Sequence, residues 1–336
     1  MHQKMKAIVF EEKEKVEIWD DLEPPKIEKK NEILTRTVFT GVSVGTERHL
    51  LKGGPYSNIY GGFPIIPGYQ YVGKVERLGS EVSNLNVGDY IVSDYSKPPS
   101  NYSIKGLKYQ NWMPMGHMEI HVAPIERVIK LPPNADLKEY ALLPVASIGF
   151  HICKRGRVAS GEKVLVIGLG IIGQLCAQIA RARGAKVVGC DIDMWRLEMA
   201  KRYSCDEVFN PSTNINSNLK DLGPFDVVIE TSGAENIMDL CLEAIKRDGR
   251  IVPVAGRFTI TYDNLKAQLL QAEIIHTDHF EMQDAIATMQ LCRTGKVEIK
   301  PLITHQIKLC DAPDFYRWIL KSQEKLLGVV IDWQSR

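Results

Sequence analysis

The stretch VLVIGLGIIG, residues 164–173, constrains the fold of this chain more than any other. An apolar run with the look of a strand ends in G-x-G-x-x-G at Gly168, Gly170 and Gly173, and the following residues carry the apolar spacing of a helix. At that spacing the first glycine makes a tight turn and the second lets the backbone approach a pyrophosphate. The third lets the helix pack closely on the strand. The first helical residues, Ile171 and Ile172, then point free N–H groups and the positive end of the helix at the phosphates. Glycine turns before helices are common, so the context matters. Asp191 closes the next strand, VVGCD, about 20 residues on, where a carboxylate accepts hydrogen bonds from ribose hydroxyls. The same carboxylate repels a 2′-phosphate, which favours NAD over NADP. Arg196 stands near enough to join that site, although DIDMWR has no small residue followed directly by a basic one.

The surrounding sequence supports this placement. From about residue 160, apolar strands (KVLVIG, AKVVGCD, FDVVIETSG, RIVPVAG) alternate with helical stretches (IIGQLCAQIARARG, MWRLEMAKRYS, AENIMDLCLEAIKRDG). That alternation means a parallel, doubly wound sheet covered on both faces, the Rossmann arrangement. Its ligands bind outside the carboxyl ends of the strands, so Thr231 in ETSG and Ala255 in VAGRF are candidate neighbours of a nicotinamide. Ordinary strand ends would look the same.

Up to residue 150 the chain reads differently. Short β-branched and aromatic runs, such as KAIVF, ILTRTVFTGV, YVGKVERLG and MEIHVAP, are separated by Gly, Pro and Asn clusters, as strands with turns should be. The expected organisation is a β-rich domain over 1–150, a dinucleotide domain over 151–284, and a segment over 285–336 that returns to the first. At 336 residues the chain is long enough for two cores.

Composition excludes several partners. A formal charge of +1 offers no basic excess for nucleic acid, and no apolar run reaches the roughly 18 residues needed to span a bilayer. The N-terminal residues carry charge too early for a signal peptide. The seven cysteines are odd in number, never spaced C-x-x-C, and absent before Cys153, which argues against both disulfides and a structural zinc site. A cytoplasmic protein with buried free thiols is expected.

The order of features is similar to that of the medium-chain alcohol dehydrogenase/reductase family. The likeness is carried by TGVSVGTERHLLKG and FPIIPGYQYVGKVERLGSEVSNLNVGDYIV, then GLGIIG, then the tail GKVEIKPLITHQIKLCDAPDFY. The resemblance implies an α/β protein: a GroES-like β-rich catalytic domain, completed by the C-terminal segment, with a Rossmann coenzyme domain and an active site in the cleft between them. Zinc-dependent members carry Gly-His-Glu where this chain has Gly68-Tyr69-Gln70, and cysteine where it has Val44. Near ALLPVAS, where a third ligand is expected, only apolar and small residues stand. No cysteine lies between 90 and 115, the place of the structural zinc lobe. Tyrosine and glutamine are poor zinc ligands and valine is none, so no metal is expected.

By the same resemblance, Thr46 and His49 in GTERH occupy the positions that hold the substrate oxygen and pass its proton to solvent. A threonine hydroxyl relays protons, whereas histidine titrates near neutrality and can act as a base. Tyr69 either donates a proton to the substrate oxygen or fills the space left by the missing histidine, and Gln70 could orient it. His49 is alternatively a solvated helix-end residue. For His117 and His121, core or surface roles are expected. The motifs GVSVGTERHLLKG and FPIIPGYQYVGKV look like a zinc-free branch of the family that includes bacteriochlorophyllide hydroxyethyl dehydrogenase. Without a Lewis acid, such an enzyme needs a proton donor or an easier substrate, for example an alcohol beside a conjugated ring.

The expected function is a zinc-independent NAD(H)-dependent oxidoreductase acting on a secondary alcohol/ketone couple, conjugated or sugar-like. The alternatives are an NADPH-dependent quinone or enone reductase, against which Asp191 counts, and a non-catalytic NAD(H)-binding protein. Eight of the twelve tyrosines fall between Tyr56 and Tyr109, with Trp112 just beyond, which suits a flat substrate, although strands favour tyrosine anyway. The segment KPPSNYSIKGLKYQNWMPMGHM is a candidate substrate-facing loop. By analogy with the family, a homodimer or homotetramer is expected through the sheet edge near AEIIHTDHF.

Overall fold

Six strands form one parallel sheet in the order Glu207–Phe209, Lys186–Cys190, Lys163–Ile167, Phe225–Glu230, Ile245–Pro253, Glu273–Ile274. Numbered along the chain this is 3-2-1-4-5-6, and the order reverses next to Lys163–Ile167, where the glycine turn begins. Val164 to Ile167 are all buried, as a strand covered on both faces requires. The helices Ile171–Ala182 and Met194–Tyr203 provide the crossovers that parallel neighbours need. On one face Leu165, Ile167, Val188 and Val228 pack with Met238, Cys241 and Leu242.

The computed structural model describes residues 4–54, 57–58, 61–102, 115–213, 219, 221–257, 259–322 and 324–335. Residues 103–114, including Tyr109 and Trp112, lie outside it, so most of the candidate substrate-facing loop does too. Tyr56, Tyr60 and Phe258 are outside as well. Among the described residues no helix is long and apolar enough to cross a membrane.

Contacts divide the chain into one unit of residues 1–144 and 303–336 and another of 145–302, rather than at 150 and 284. Residue 150 falls inside the helix Leu143–Arg155. Residues 285–302 group with the dinucleotide unit because the helix Met282–Arg293 is anchored there. Asp284 lies 2.7 Å from the His151 ring and 3.0 Å from Lys154.

The first unit holds a seven-stranded sheet. Along it run Ile303–Lys308, Gly328–Asp332, Glu32–Val42, Tyr71–Leu78, Tyr90–Ser93 and Val128–Lys130, with Ile120–Pro124 also paired to Glu32–Val42. The C-terminal strand pairs antiparallel with Glu32–Val42, Val329 opposite Val42, so the chain end completes the first unit. The helix Ala312–Lys321 packs Phe315, Tyr316 and Ile319 into a core with Phe10, Leu50, Leu51 and Ile331.

One strand carries little signal in the sequence, and one helix is shorter than expected. Lys15–Leu22 is a strand paired with Met5–Glu12. Its KVEIWDDL buries only Val16 and Leu22, so its acidic residues mask the period. The helix expected through AENIMDLCLEAIKRDG covers only Ile237–Ala244. The chain then enters the strand Ile245–Pro253, with Asp248 at a left-handed φ of 60°. Of the seven thiols, five are buried, Cys292 is half-buried and Cys310 exposed.

Candidate functional site

The glycine turn has the geometry its spacing implied. Gly168 sits at φ 88°, and a Cβ there would lie 2.6 Å from the Ser232 nitrogen. At Gly173 a Cβ would fall 1.9 Å from the Gly168 carbonyl oxygen, so only glycine allows the helix this close. Gly170 differs from both. It is the N-cap of the helix Ile171–Ala182 with no side-chain cap, and a Cβ there would meet nothing within 4 Å. An uncapped helix start with open space over the backbone fits a bound pyrophosphate, beside half-buried Ile171 and Ile172.

The remaining cofactor-side candidates frame that turn. Asp191 is 7% exposed; its Oδ2 accepts from Leu169 N at 2.7 Å and its Oδ1 from Asp193 N at 2.9 Å. Arg196 Nη1 is 3.9 Å from Asp191 Oδ2, a loose pairing that leaves the carboxylate with acceptor capacity toward a ribose. Thr231 donates its hydroxyl to the Gly168 carbonyl at 2.7 Å, so it braces the turn, and Ala255 lies beside Gly233. The buried carboxylate of Glu230, missed from sequence, gathers Ser232 N, Gly233 N and the Arg257 guanidinium, which fixes the loop after its strand. Ile192 and Met194 are 72% and 61% exposed next to Asp191, an apolar pair suited to a flat ring.

In the first unit, the turn before the helix Val44–Lys52 meets the loop that carries Tyr69. Gly68 holds φ 82°, and a Cβ there would strike the His117 ring at 2.7 Å. Tyr69 is 6% exposed and donates its phenol to Ser43 Oγ at 3.0 Å; Ser43 in turn donates to Thr46 Oγ1 at 3.1 Å. Tyr69 and Thr46 are therefore brought together, through a serine that sequence reasoning passed over. His49 is exposed one turn along, with Nδ1 3.0 Å from the Gly45 carbonyl oxygen, so the ring lies against its own helix. Gln70 is fully buried beside Gly41.

Behind this hydroxyl chain lies a second missed group. Glu47 is buried; its Oε1 accepts from Ser43 N at 2.8 Å and its Oε2 from the Tyr316 phenol, with His117 Nε2 3.0 Å away. His117 Nδ1 is 2.8 Å from Thr40 Oγ1, which also accepts from Trp333 Nε1 at 3.0 Å. Burial and the Glu47 charge hold the Tyr316 phenol well above its ordinary range. His117 and His121 are both core residues; His121 stacks on Tyr71 at 3.6 Å, and burial lowers its pKa to about 3.

The donor set near Tyr69 does not suit zinc. Val44 is apolar and buried. The nearby acid and imidazole, Glu47 and His117, are bound to each other. Among the described residues no three His, Cys, Asp or Glu side chains group as a metal site would require.

Comparison with known proteins agrees with the fold. Residues 29–133 match the family described as alcohol dehydrogenase GroES-like domain, and residues 172–287 match zinc-binding dehydrogenase. The chain is 30% identical over 317 residues to D-xylulose reductase A of Aspergillus oryzae, covering 88% of each protein. Among solved structures it is similar to 2R,3R-butanediol dehydrogenase from Bacillus subtilis, with a TM-score of 0.84 and 19% identity over 98% of this chain and all of that one. Galactitol-1-phosphate dehydrogenase from Escherichia coli gives 0.82 and 21%, again over 98% and 100%. With the glycine turn and two matching domains in sequence order, the chain belongs to the medium-chain alcohol dehydrogenase/reductase family and is an NAD(P)-dependent oxidoreductase.

Proposed function

We propose that the protein is a zinc-independent, NAD(H)-dependent oxidoreductase acting on a secondary alcohol/ketone couple. The observation that carries this is the Tyr69 phenol, buried at 6% exposure and donating to a hydroxyl chain at the position where zinc-binding members have a ligand histidine. The relatives act, by name, on D-xylulose, 2R,3R-butanediol and galactitol-1-phosphate, which supports a polyol or hydroxy-ketone substrate. Gly168, Gly170, Gly173, Ile171 and Ile172 would hold the pyrophosphate. Asp191 and Arg196 would hold the adenosine ribose, with Thr231 and Ala255 on the nicotinamide side. When bound, the nicotinamide supplies or takes the hydride.

The chain's own side chains would manage the proton. In ketone reduction the developing negative charge sits on the substrate oxygen, where a Lewis acid would otherwise stabilise it. Tyr69 gives that oxygen its phenolic proton, and in alcohol oxidation the proton returns along the same path. Thr46, half-buried, leads toward solvent, where exposed His49 stands one turn along the helix. Five buried, unpaired thiols suit a reducing, cytoplasmic setting. The Glu273–Ile274 strand ends the parallel sheet and offers an edge for a homodimer or homotetramer.

The test combines metal analysis of the purified protein, fluorescence titration with NADH and NADPH, and a turnover screen of polyols and conjugated alcohols. The expected result is metal-free protein that prefers NADH and oxidises a secondary alcohol, with turnover about 100-fold lower in Tyr69→Phe. Stoichiometric zinc, or full activity in Tyr69→Phe, would sink the proposal.

A further inference from the structure

Ser43 stands at the N-cap of the helix Val44–Lys52, where a serine ordinarily turns its hydroxyl onto the first free backbone N–H groups. Here it makes no such bond. Its Oγ instead accepts from Tyr69 and donates to Thr46, at 3.0 and 3.1 Å. The backbone of this turn is held from the other side. Glu47 Oε1 accepts from Ser43 N at 2.8 Å, and Glu47 N donates to Ser43 O at 2.8 Å. Glu47 is itself fixed by the Tyr316 phenol and by His117 Nε2. The bonds close when His117 carries a proton on Nε2 toward Glu47 and accepts at Nδ1 from the Thr40 hydroxyl, whose oxygen accepts from Trp333.

We infer that Ser43 is the proton-relay residue between Tyr69 and Thr46, and that Glu47, anchored by His117 and Tyr316, frees the Ser43 hydroxyl for that task by holding the helix turn in its place. The inference rests on the oxidoreductase reading above and adds a residue to its proton path. As they stand, the hydrogen bonds run in the direction of alcohol oxidation: Tyr69 takes the proton of the substrate hydroxyl as its own phenolic proton passes to Ser43. Ser43 passes its proton to Thr46 and Thr46 to solvent, so one proton is released per turnover, and ketone reduction runs the chain in reverse with the three hydroxyls turned the other way. Ser43 and Glu47 are positioning residues in this scheme, since they act through Tyr69.

The test uses the full chain labelled with 13C at the tyrosine Cζ, with the Tyr69 line identified by its loss in Tyr69→Phe. Ser43→Ala is expected to shift that line and to lower kcat by about 10- to 100-fold with unchanged NADH affinity, Ser43→Thr restoring both. Glu47→Ala is expected to shift the same line, because Ser43 then turns to cap the helix. Should Glu47→Ala not fold, Glu47→Gln decides the point. Its side-chain oxygen still accepts from Ser43 N, so the line is expected to stay in place, and a displacement matching Ser43→Ala would overturn the role given to Glu47. An unmoved Tyr69 line and unchanged kcat in Ser43→Ala overturn the relay. Wild-type protein without turnover of any secondary alcohol or ketone sinks the zinc-independent alcohol/ketone reading and the relay with it, and the Tyr69 line still reports separately whether the Ser43 bond exists.

Discussion

Glu47 and His117 meet at 3.0 Å, Oε2 to Nε2, with 1% and 0% of their side chains exposed. A buried carboxylate is tolerated only where donors replace its lost hydration, and Glu47 receives Ser43 N, the Tyr316 phenol and the His117 ring. Sixty-nine residues of chain separate Glu47 from His117, and Tyr316 lies 269 residues on, so the pair is a product of the fold.

Removing both partners should cost less than the two single removals added together. His117→Leu leaves the carboxylate short of a donor and is expected to destabilise the first unit by about 3 kcal/mol. In the Glu47→Leu/His117→Leu double variant the loss should fall short of the sum of the single losses, because no buried charge remains. Urea unfolding of the four proteins measures the difference, and strict additivity would show that the two side chains are not energetically coupled.

The glycines of the nucleotide turn should separate by what surrounds them. Gly173→Ala drives a methyl into the Gly168 carbonyl and is expected to lower both stability and NADH affinity. Gly170→Ala meets no protein atom, so stability should change by no more than about 1 kcal/mol. NADH affinity should nonetheless fall by about tenfold or more, since the methyl occupies the space over the helix start. Thermal unfolding beside fluorescence titration distinguishes the two variants.

Asp191→Ala removes both the ribose acceptor and the charge that repels a 2′-phosphate. NADH binding should weaken by about tenfold, and the preference over NADPH should narrow or invert. Paired titrations with the two cofactors give the ratio, and an unchanged ratio would remove Asp191 from the specificity argument.

His121 predicts a pH dependence of stability. Burial holds its folded pKa at about 3, below the ordinary 6.5, so between those values the unfolded chain binds a proton that the folded chain does not. This contribution is fully present above about pH 6.5 and is lost by about 1.4 kcal/mol per unit as pH falls toward 3. His121→Phe keeps a ring against Tyr71 and should flatten that slope. Comparing urea unfolding at pH 7.5 and 5.5 in both proteins checks it; parallel losses would show that another group drives the acid sensitivity.

Much of the second unit was legible along the chain. The run Val164–Ile167, the glycines at 168, 170 and 173, and Asp191 signal by local period and spacing, and the structure places them around one turn. Lys15–Leu22 was not legible, because a strand that buries two residues of eight carries almost no period. The bond from the Thr231 hydroxyl to the Gly168 carbonyl was not legible either, because the pairing of neighbouring strands sets it.

The sequence by itself determined the two domain types, the nucleotide turn and the presence of Val44, Tyr69 and Gln70 where the resemblance expects zinc ligands, since these depend on residue identity and short-range spacing. Only the tertiary structure decided the hydroxyl chain. A serine before a helix is by every local rule its cap, and nothing near it in sequence says otherwise. Ser43 turns instead to Tyr69 because Glu47 holds the helix start. Glu47 can remain there because the strand pairing of Gly328–Asp332 with Glu32–Val42, and the packing of Ala312–Lys321, bring Tyr316 and Trp333 to the same interior as His117.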